Sequence, residues 1–250
     1  MKNQIHLDKI ATIPNLKITK AKAKIEMIKL TEILAQIQDK LYAQNKYAVL
    51  IVLQGMDTAG KDSAVKHVFS GVNPAGCNVK SFKAPSTQEN SHHFLWRISK
   101  ECPAKGMIKI FNRSQYEDIL VPTINNKMSK DLLIERCKEI NAFEKGLMND
   151  HTIYLKFYLH ISHAEQLKRL EERRTNPDKN WKYQEEDIKD IERHTKFKNA
   201  YEFIFNNCSA QAKWNIIPAD KKWFKNYLIL KTIVDHLEEH EINYPKMNDK

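Results

Sequence analysis

The feature that most restricts the fold of this chain is a short glycine-containing loop, LQGMDTAGKDS, at residues 53–63. Gly55 is followed, after four intervening residues, by Gly60 and Lys61, which matches the pattern G-x-x-x-x-G-K. An apolar run rich in β-branched residues, 47–53, precedes the loop, and residues 64–69 have helical character. A strand, a glycine-rich turn and a helix in this order are the context of a phosphate-binding loop. We therefore expect Gly55, Gly60 and Lys61 to bind phosphate.

Two carboxylates in this loop depart from the usual pattern. Asp62 occupies the position at which a Ser or Thr hydroxyl normally binds Mg²⁺, and Asp57 lies inside the loop. Mg²⁺ prefers hard oxygen ligands, so Asp62 can bind it directly. Asp57 would orient or deprotonate the attacking phosphate, or bind metal. The alternatives are a backbone-bonded loop residue for Asp57 and a helix N-terminal acid for Asp62.

The rest of the chain alternates between strand-like and helix-like segments. Four further strands are predicted at 78–82, 107–111, 153–161 and 214–218, and the main helices at 18–44, 91–99, 130–149 and 223–240. This alternation predicts an α/β fold, with a five-stranded parallel sheet and helices on both faces. No segment has the composition of an interdomain linker. We expect one phosphate-loop kinase domain over 1–250, with a helical N-terminal arm at about 1–45.

One stretch, at about 162–206, interrupts the alternation with two consecutive helices. A capping box at Ser162 and Glu165 starts the first helix, and TNPDKNW turns the chain toward the second. Basic residues near the tip of this hairpin are Lys168, Arg169, Arg173, Arg174, Lys179 and Lys182. Its position after the fourth strand favours a mobile lid that binds an anionic chain. The alternative is a charged, solvated hairpin.

Three more residues follow or flank the third strand. Arg113 comes directly after it, at the carboxyl edge where ligands of open α/β sheets bind. Glu117, four residues further on, could be a second metal ligand. Arg97 falls on the predicted 91–99 helix, where kinases with this fold hold the acceptor nucleotide. Spacing alone leaves a solvated helix arginine as an equal alternative.

Composition limits the partners and the compartment. The formal charge of +10 favours a polyanionic partner. A nucleic-acid-binding protein would share this charge, but it would not explain the glycine loop and its paired aspartates, so no nucleic acid is expected. The four cysteines have no zinc spacing, and no apolar run could act as a signal peptide or cross a membrane. We expect a cytoplasmic protein with reduced thiols.

The motifs together resemble one known family. GMDTAGKDSAVKHVFSGVNPAGCNVKSFKAPS, HHFLWR, FNRSQYEDILV, EERRTNPDKNWK and PADKKWFKN, in this order, are similar to the family-2 polyphosphate kinases. The similarity runs from about 46 to about 238. It implies a phosphate-loop kinase fold with a helical lid. It also implies reversible, Mg²⁺-dependent phosphoryl transfer between inorganic polyphosphate and a nucleotide, with Mn²⁺ as a substitute ion.

The resemblance also implies roles for individual residues. Asp57, Lys61 and Asp62 would be the catalytic and metal residues of the loop, Arg113 would hold phosphate, and Arg173 would clamp the polymer. The combination of GKD with NRSQYE resembles the class III subgroup, in which Glu117 is a metal ligand and both AMP and ADP are acceptors. Guanine nucleotides stay open as acceptors. The alternative is an ATP-dependent, thymidylate-type kinase of the same fold. We also expect a homo-oligomer, since the N-terminal helix could pack against a second subunit.

Overall fold

A computed structural model describes residues 4–14 and 18–246 of the chain. Its centre is a sheet of five parallel strands in the order β2-β3-β1-β4-β5. The strands are β1 (Ala48–Gly55), β2 (Cys77–Ser81), β3 (Ile108–Asn112), β4 (Thr152–His160) and β5 (Trp214–Pro218). The predicted α/β class and five-stranded parallel sheet are therefore confirmed. Each predicted strand lies within two residues of its place in the structure.

The order of the strands determines where a ligand can bind. From β1 the chain runs to the edge strand β2, returns through β3 and then crosses β1 to reach β4 and β5. The register pairs Leu53 of β1 with Asn112 of β3, so the segments that follow these two strands leave the sheet side by side. Ligands of open α/β sheets bind at the carboxyl ends of the strands, where the connections diverge. The loop after β1 lies at this position.

Ten helices surround the sheet within the described residues. They are α1 (Lys20–Gln44), α2 (Lys61–Val68), α3 (Thr87–Asn90), α4 (Trp96–Ser99), α5 (Glu117–Ile124), α6 (Lys130–Asn149), α7 (His163–Thr175), α8 (Glu186–Glu192), α9 (His194–Asn207) and α10 (Lys222–Glu238). Side-chain caps start several of them, because Thr19, Ser129 and Ser162 accept hydrogen bonds from backbone N–H groups of the first turn.

The structure corrects two predicted helices. Of the single helix expected at 91–99, only the last four residues are helical, as α4, and the short helix α3 ends just before the predicted start. A capping box between Ser86 and Glu89 starts α3 early, and at its end Ser91 Oγ and His92 Nδ1 both contact the Gln88 carbonyl, which also accepts from the Ser91 N–H. The second lid helix is divided into α8 and α9 at Arg193, whose N–H is shared between the carbonyls of Lys189 and Asp190.

The core lies on both faces of the sheet and includes side chains of α1 and α10. Every residue of β1 and β4 is buried. The apolar face of α1 packs against α10, where Ala23 contacts a cluster with Phe224 and Tyr227. The expected irregular arm is partly anchored, because the Leu7 side chain is buried and the Leu7 N–H donates to Glu202 at 2.7 Å. Residues 1–3 and 15–17 of the arm lie outside the described residues.

None of the helices in the described part of the chain is long and apolar enough to cross a membrane. All four cysteines are free.

Candidate active site

The glycine loop connects β1 to α2 through a backbone that few sequences could adopt. Thr58 and Gly60 both have left-handed backbone conformations, with φ of 65° and 93°. Such a conformation costs a residue with a side chain free energy, so the surrounding structure must hold Thr58 in place. Gly55 is required for a different reason: a Cβ there would lie 3.1 Å from the Leu159 carbonyl oxygen. The loop therefore sits directly on the end of β4.

Lys61 bends back over the loop at the start of α2. Its ammonium donates to the carbonyl of Gly55 at 2.6 Å and to that of Met56 at 3.3 Å. An ammonium has three N–H donors, so a third is left for a phosphate oxygen. Burial lowers the pKa of Lys61, while the negative charge of Asp57 acts in the opposite direction. The side chain is thus a nearly buried cation at the base of an anion site.

Asp57 forms an ion pair with Arg113. The guanidinium of Arg113 donates to the Asp57 carboxylate at 2.8 Å, which joins the loop after β1 to the segment after β3. Burial opposes ionisation of Asp57, but the charges of Lys61 and Arg113 hold its pKa below the usual value. Arg113 itself has a left-handed backbone, with φ of 63°. The structure therefore gives Asp57 a charged side-chain partner, unlike the backbone-bonded alternative.

The two predicted metal ligands lie near this ion pair. Asp62, in the first turn of α2, accepts a hydrogen bond of 2.7 Å from Asn112, whose own side-chain oxygen is buried without a partner. Glu117 begins α5. Burial raises its pKa, against the opposing charges of Arg113 and Lys61. With its amide oriented so that both of its polar atoms are satisfied, Gln54 donates to Glu117 at 3.1 Å.

The carboxylates fit a metal ion that shares its ligands with phosphate. Among the described residues, His, Cys, Asp and Glu side chains form no group of three that could hold a metal by themselves. Mg²⁺ commonly takes only one or two protein carboxylates and completes its octahedral shell with water and phosphate oxygens. Asp62 and Glu117, with the unpartnered oxygen of Asn112 nearby, match that kind of site and not an all-protein cage.

Arg97 lines a cleft of about 310 Å³ beside the loop. Its side chain is only 6% exposed, so the alternative of a solvated helix arginine is wrong. Its guanidinium donates to the Lys83 carbonyl at 2.9 Å and contacts Asp118 at 3.4 Å. Phe94 lies in the same cleft, with the Arg136 guanidinium 4.7 Å from its ring centre. Aromatic, apolar and cationic groups in a cleft of this size are typical of a small-ligand site.

The predicted lid residues lie on α7 and the turn that follows it, and most are paired with acids. Arg173 donates to Asp187 of α8 at 2.7 Å. Arg174 makes two bonds of 2.9 Å to Glu171, and Lys179 donates to Glu172 at 2.6 Å. Lys182 lies 4.7 Å from the ring centre of the exposed Trp181. The sequence predicted the positive charges of this hairpin but not their acidic partners.

Several residues contact the site in ways that the sequence did not predict, and of these only Arg169 was named beforehand, as a basic residue of the hairpin. Asp190 of α8 interacts with Asp57, and burial together with that charge raises the pKa of Asp190 to about 6. The buried side chains of Gln166 and Arg169 on α7, and of Lys225 on α10, contact the carbonyls of the glycine loop. One signal was available: Gln166 and Arg169 are spaced i, i+3, so they share one face of the helix that the capping box starts.

A glycine loop between strand and helix, a buried lysine and an Asp–Arg pair at the carboxyl edge of a parallel sheet define a phosphate-loop kinase. Comparison with known proteins identifies the family. The model of the polyphosphate kinase 2 family matches residues 17–245. The chain belongs to this family, and it is a phosphotransferase.

Individual relatives agree with this assignment. An AMP/ADP-polyphosphate phosphotransferase from Meiothermus ruber is 42% identical over 214 residues, which cover 85% of this chain and 80% of the relative. An ADP-polyphosphate phosphotransferase from Rhodopseudomonas palustris is 36% identical, with 86% and 79% covered. The crystal structure of polyphosphate kinase 2 from Arthrobacter aurescens TC1 superposes with a TM-score of 0.95 at 34% identity, over 99% of this chain and 90% of that one.

Proposed function

We propose that this enzyme transfers the terminal phosphate of inorganic polyphosphate to AMP and to ADP, reversibly and with Mg²⁺. The observation that carries the proposal is the joining of Asp57 to Arg113 beside Lys61, at a sheet edge next to a cleft of nucleotide size. The related phosphotransferase from Meiothermus ruber acts on AMP and ADP according to its name, which supports both acceptors.

The residues of the loop bind and orient the donor end of the polymer. Backbone N–H groups of the loop and the start of α2 are directed toward an anion, and Lys61 adds a point charge. Arg113 neutralises charge on the transferring phosphate, and its bond of 2.8 Å to Asp57 fixes its direction. Asp57 is ionised at neutral pH, so it can also accept a hydrogen bond from the attacking group. Catalysis of this kind is mainly positioning and electrostatic stabilisation.

Family members generally need a divalent metal, and we propose Mg²⁺, with Mn²⁺ as a substitute. Asp62 and Glu117 would hold the ion. When bound, it supplies neutralisation of charge on the phosphate oxygens. A carboxylate at position 62 suits a donor with many negative charges better than a neutral hydroxyl does, because a charged ligand holds the cation more firmly.

The acceptor nucleotide is assigned to the cleft that contains Arg97. Phe94 and Met128 offer apolar surface for a base, while Arg97 and Arg136 offer positive charge. The helices α7 to α9 would form the lid over the donor, with Arg173, Arg174, Lys179 and Lys182 contacting the polymer. We also propose a cytoplasmic homo-oligomer. The thymidylate-type alternative is not favoured, because the family model spans nearly the whole chain.

An acceptor panel tests this function. The purified protein is incubated with polyphosphate as sole phosphate donor and with Mg²⁺, and AMP, ADP, GMP and GDP are supplied separately. We expect ADP and ATP to form from AMP and from ADP at rates that depend on polyphosphate, and chelation of the metal to stop both reactions. A preparation that is inert with polyphosphate but transfers phosphate from ATP would support the thymidylate-type alternative. Activity on ADP without activity on AMP would remove the class III assignment.

A further inference from the structure

The backbone carbonyls of the glycine loop are held by side chains from behind the loop. The Asp57 carbonyl accepts a bond of 2.9 Å from Gln166, and the Gly60 carbonyl accepts one of 2.6 Å from Lys225. Between them, the carbonyls of Thr58 and Ala59 accept bonds of 3.0 and 3.2 Å from Arg169. Four consecutive carbonyls of the loop therefore have side-chain donors.

Among these side chains, Arg169 donates the largest number of hydrogen bonds to backbone carbonyls. Its guanidinium donates to the two loop carbonyls through Nη1 and, through Nη2, to the carbonyls of Ala219 and Asp220 at 2.8 and 3.1 Å. The remaining N–H, on Nε, donates to Glu165 at 2.9 Å. An arginine has five N–H donors, so all of them are used. One side chain of α7 thus connects the loop after β1 to the turn after β5.

The direction of the loop carbonyls decides whether the loop can bind an anion. A carbonyl oxygen carries partial negative charge, so a peptide group that turned its oxygen toward phosphate would repel it and would direct its N–H away. The left-handed conformations of Thr58 and Gly60 are sparsely populated and persist only when their surroundings impose them. The buried side-chain donors of α7 and α10 supply that constraint.

We propose that Gln166, Arg169 and Lys225 are positioning residues that keep the loop carbonyls away from the bound phosphate, so that the placement of α7 sets the affinity of the loop for polyphosphate. The proposal rests on the proposed function for the identity of the donor. Two of the three residues lie on α7, the first helix of the proposed lid, whereas Lys225 lies on α10. Any shift of α7 would therefore change the bonds to the carbonyls of Asp57, Thr58 and Ala59.

The first experiment separates the geometry of Arg169 from its charge. Arg169→Lys keeps the positive charge, but a lysine cannot donate to all four carbonyls. Arg169→Gln removes the positive charge as well as this set of hydrogen bonds. Lys145→Gln removes one charge from an exposed position of α6, outside the hairpin, and is the matched control. The dissociation constant of inorganic tripolyphosphate, measured by calorimetry without nucleotide, reports on the loop alone.

We expect both Arg169 variants to bind tripolyphosphate at least ~10-fold more weakly, because each loses several charge-assisted hydrogen bonds to the loop. The KM for polyphosphate should rise together with the dissociation constant of tripolyphosphate, and the KM for ADP should change by less than ~2-fold. Lys145→Gln should stay within ~2-fold of wild type for both substrates. Wild-type affinity in Arg169→Lys would overturn the proposal, and so would equal losses in Arg169→Gln and Lys145→Gln.

Variants of Lys225 and Gln166 test the same proposal if the Arg169 variants do not fold. Lys225→Met removes the donor to Gly60, and the control Lys231→Met removes a charge from the same helix at a position that pairs with Asp235 of α10. Gln166→Met removes the donor to Asp57 with little change in volume. Weaker tripolyphosphate binding in Lys225→Met and Gln166→Met, at unchanged ADP KM, supports the proposal. Wild-type binding in both would overturn it. A wild type that binds tripolyphosphate but makes no ATP would instead contradict the proposed function alone.

Discussion

Asp57 and Lys61 are the two loop residues whose contacts most directly support a role in phosphate transfer. Asp57 contacts Arg113, which follows another strand, and Lys61 contacts the backbone of the loop itself. We expect Asp57→Asn and Lys61→Ala each to lower kcat by at least ~10²-fold, the scale of lost electrostatic or acid–base help. The midpoint of thermal unfolding should change little in comparison. The exposed substitution Asp39→Asn is the control, and a folded Asp57→Asn enzyme with normal kcat would remove this residue from the mechanism.

Lys225 predicts a dependence of stability on pH. Burial, reinforced by the charges of Arg169 and Lys222, lowers the pKa of Lys225 from 10.5 to about 7. Between these two pH values the unfolded chain binds the proton and the folded protein does not. The free energy of unfolding therefore rises with pH through this window on account of this group. Urea unfolding of wild type and Lys225→Met at several pH values measures this effect. The free energy of unfolding of wild type should increase relative to that of Lys225→Met as pH rises. Parallel curves would contradict the prediction.

At the scale of elements, the start of α5 is anchored by a buried ionic network. Lys156 of β4 and Glu144 of α6 are both fully buried and lie 2.9 Å apart. The hydroxyl of Tyr116, the residue before Glu117, contacts both of them, and Lys156 also donates to the Cys208 carbonyl at 2.7 Å. This network joins β4, α6 and the residue that precedes α5. It therefore holds the helix that carries the proposed metal ligand Glu117.

Replacing one member of the Lys156–Glu144 pair should lower the free energy of unfolding more than replacing both members. Lys156→Met leaves Glu144 as a buried charge without its cation, which typically destabilises a protein by about 3–5 kcal/mol. Adding Glu144→Gln removes the stranded charge, so the double variant should regain part of this loss. Urea unfolding of the two single variants and the double variant measures the coupling. If the two losses simply add, the pair is not coupled and the network is not an ionic unit.

At the scale of the whole molecule, the charge of +10 should act on a polyanionic donor. Arg173 and Lys179 are paired with acids, so the hairpin can release these cations to the polymer only by exchanging partners. We expect the triple variant Arg173→Gln/Lys179→Gln/Lys182→Gln to raise the KM for polyphosphate, and more for long chains than for short ones. Added salt should raise the wild-type KM, because exposed charges are screened beyond ~10 Å at 0.1 M.

The control for this variant removes the same charge elsewhere. Lys20, Lys22 and Lys24 are exposed on α1, and their replacement by Gln changes the net charge equally. If both triple variants raise the KM alike, the effect belongs to the net charge of the protein. A polyphosphate KM that responds neither to salt nor to the lid variant would support the alternative of a solvated hairpin.

The strands, most of the long helices and the glycine loop could be predicted from the sequence alone. The limits of α6 and β5 match the predicted 130–149 and 214–218, because hydrophobic periodicity and end signals are local properties. The meeting of Asp57 with Arg113 was also predictable, since both follow parallel strands and the carboxyl ends of such strands share one edge. The short helices α3 and α4 were not, because competing side-chain bonds at Ser91 and His92 decide where they end.

The side chains that support the site could be identified only from the folded structure. Arg169 and Lys225 lie more than a hundred residues after the loop whose carbonyls they hold, and Asp187 pairs with Arg173 across a turn. No periodicity in the sequence relates such residues, because their contacts depend on how α7, α8 and α10 pack against the end of the sheet. The ion pair between Glu144 and Lys156 is of the same kind: each looks like a surface charge in sequence, and only packing buries them together.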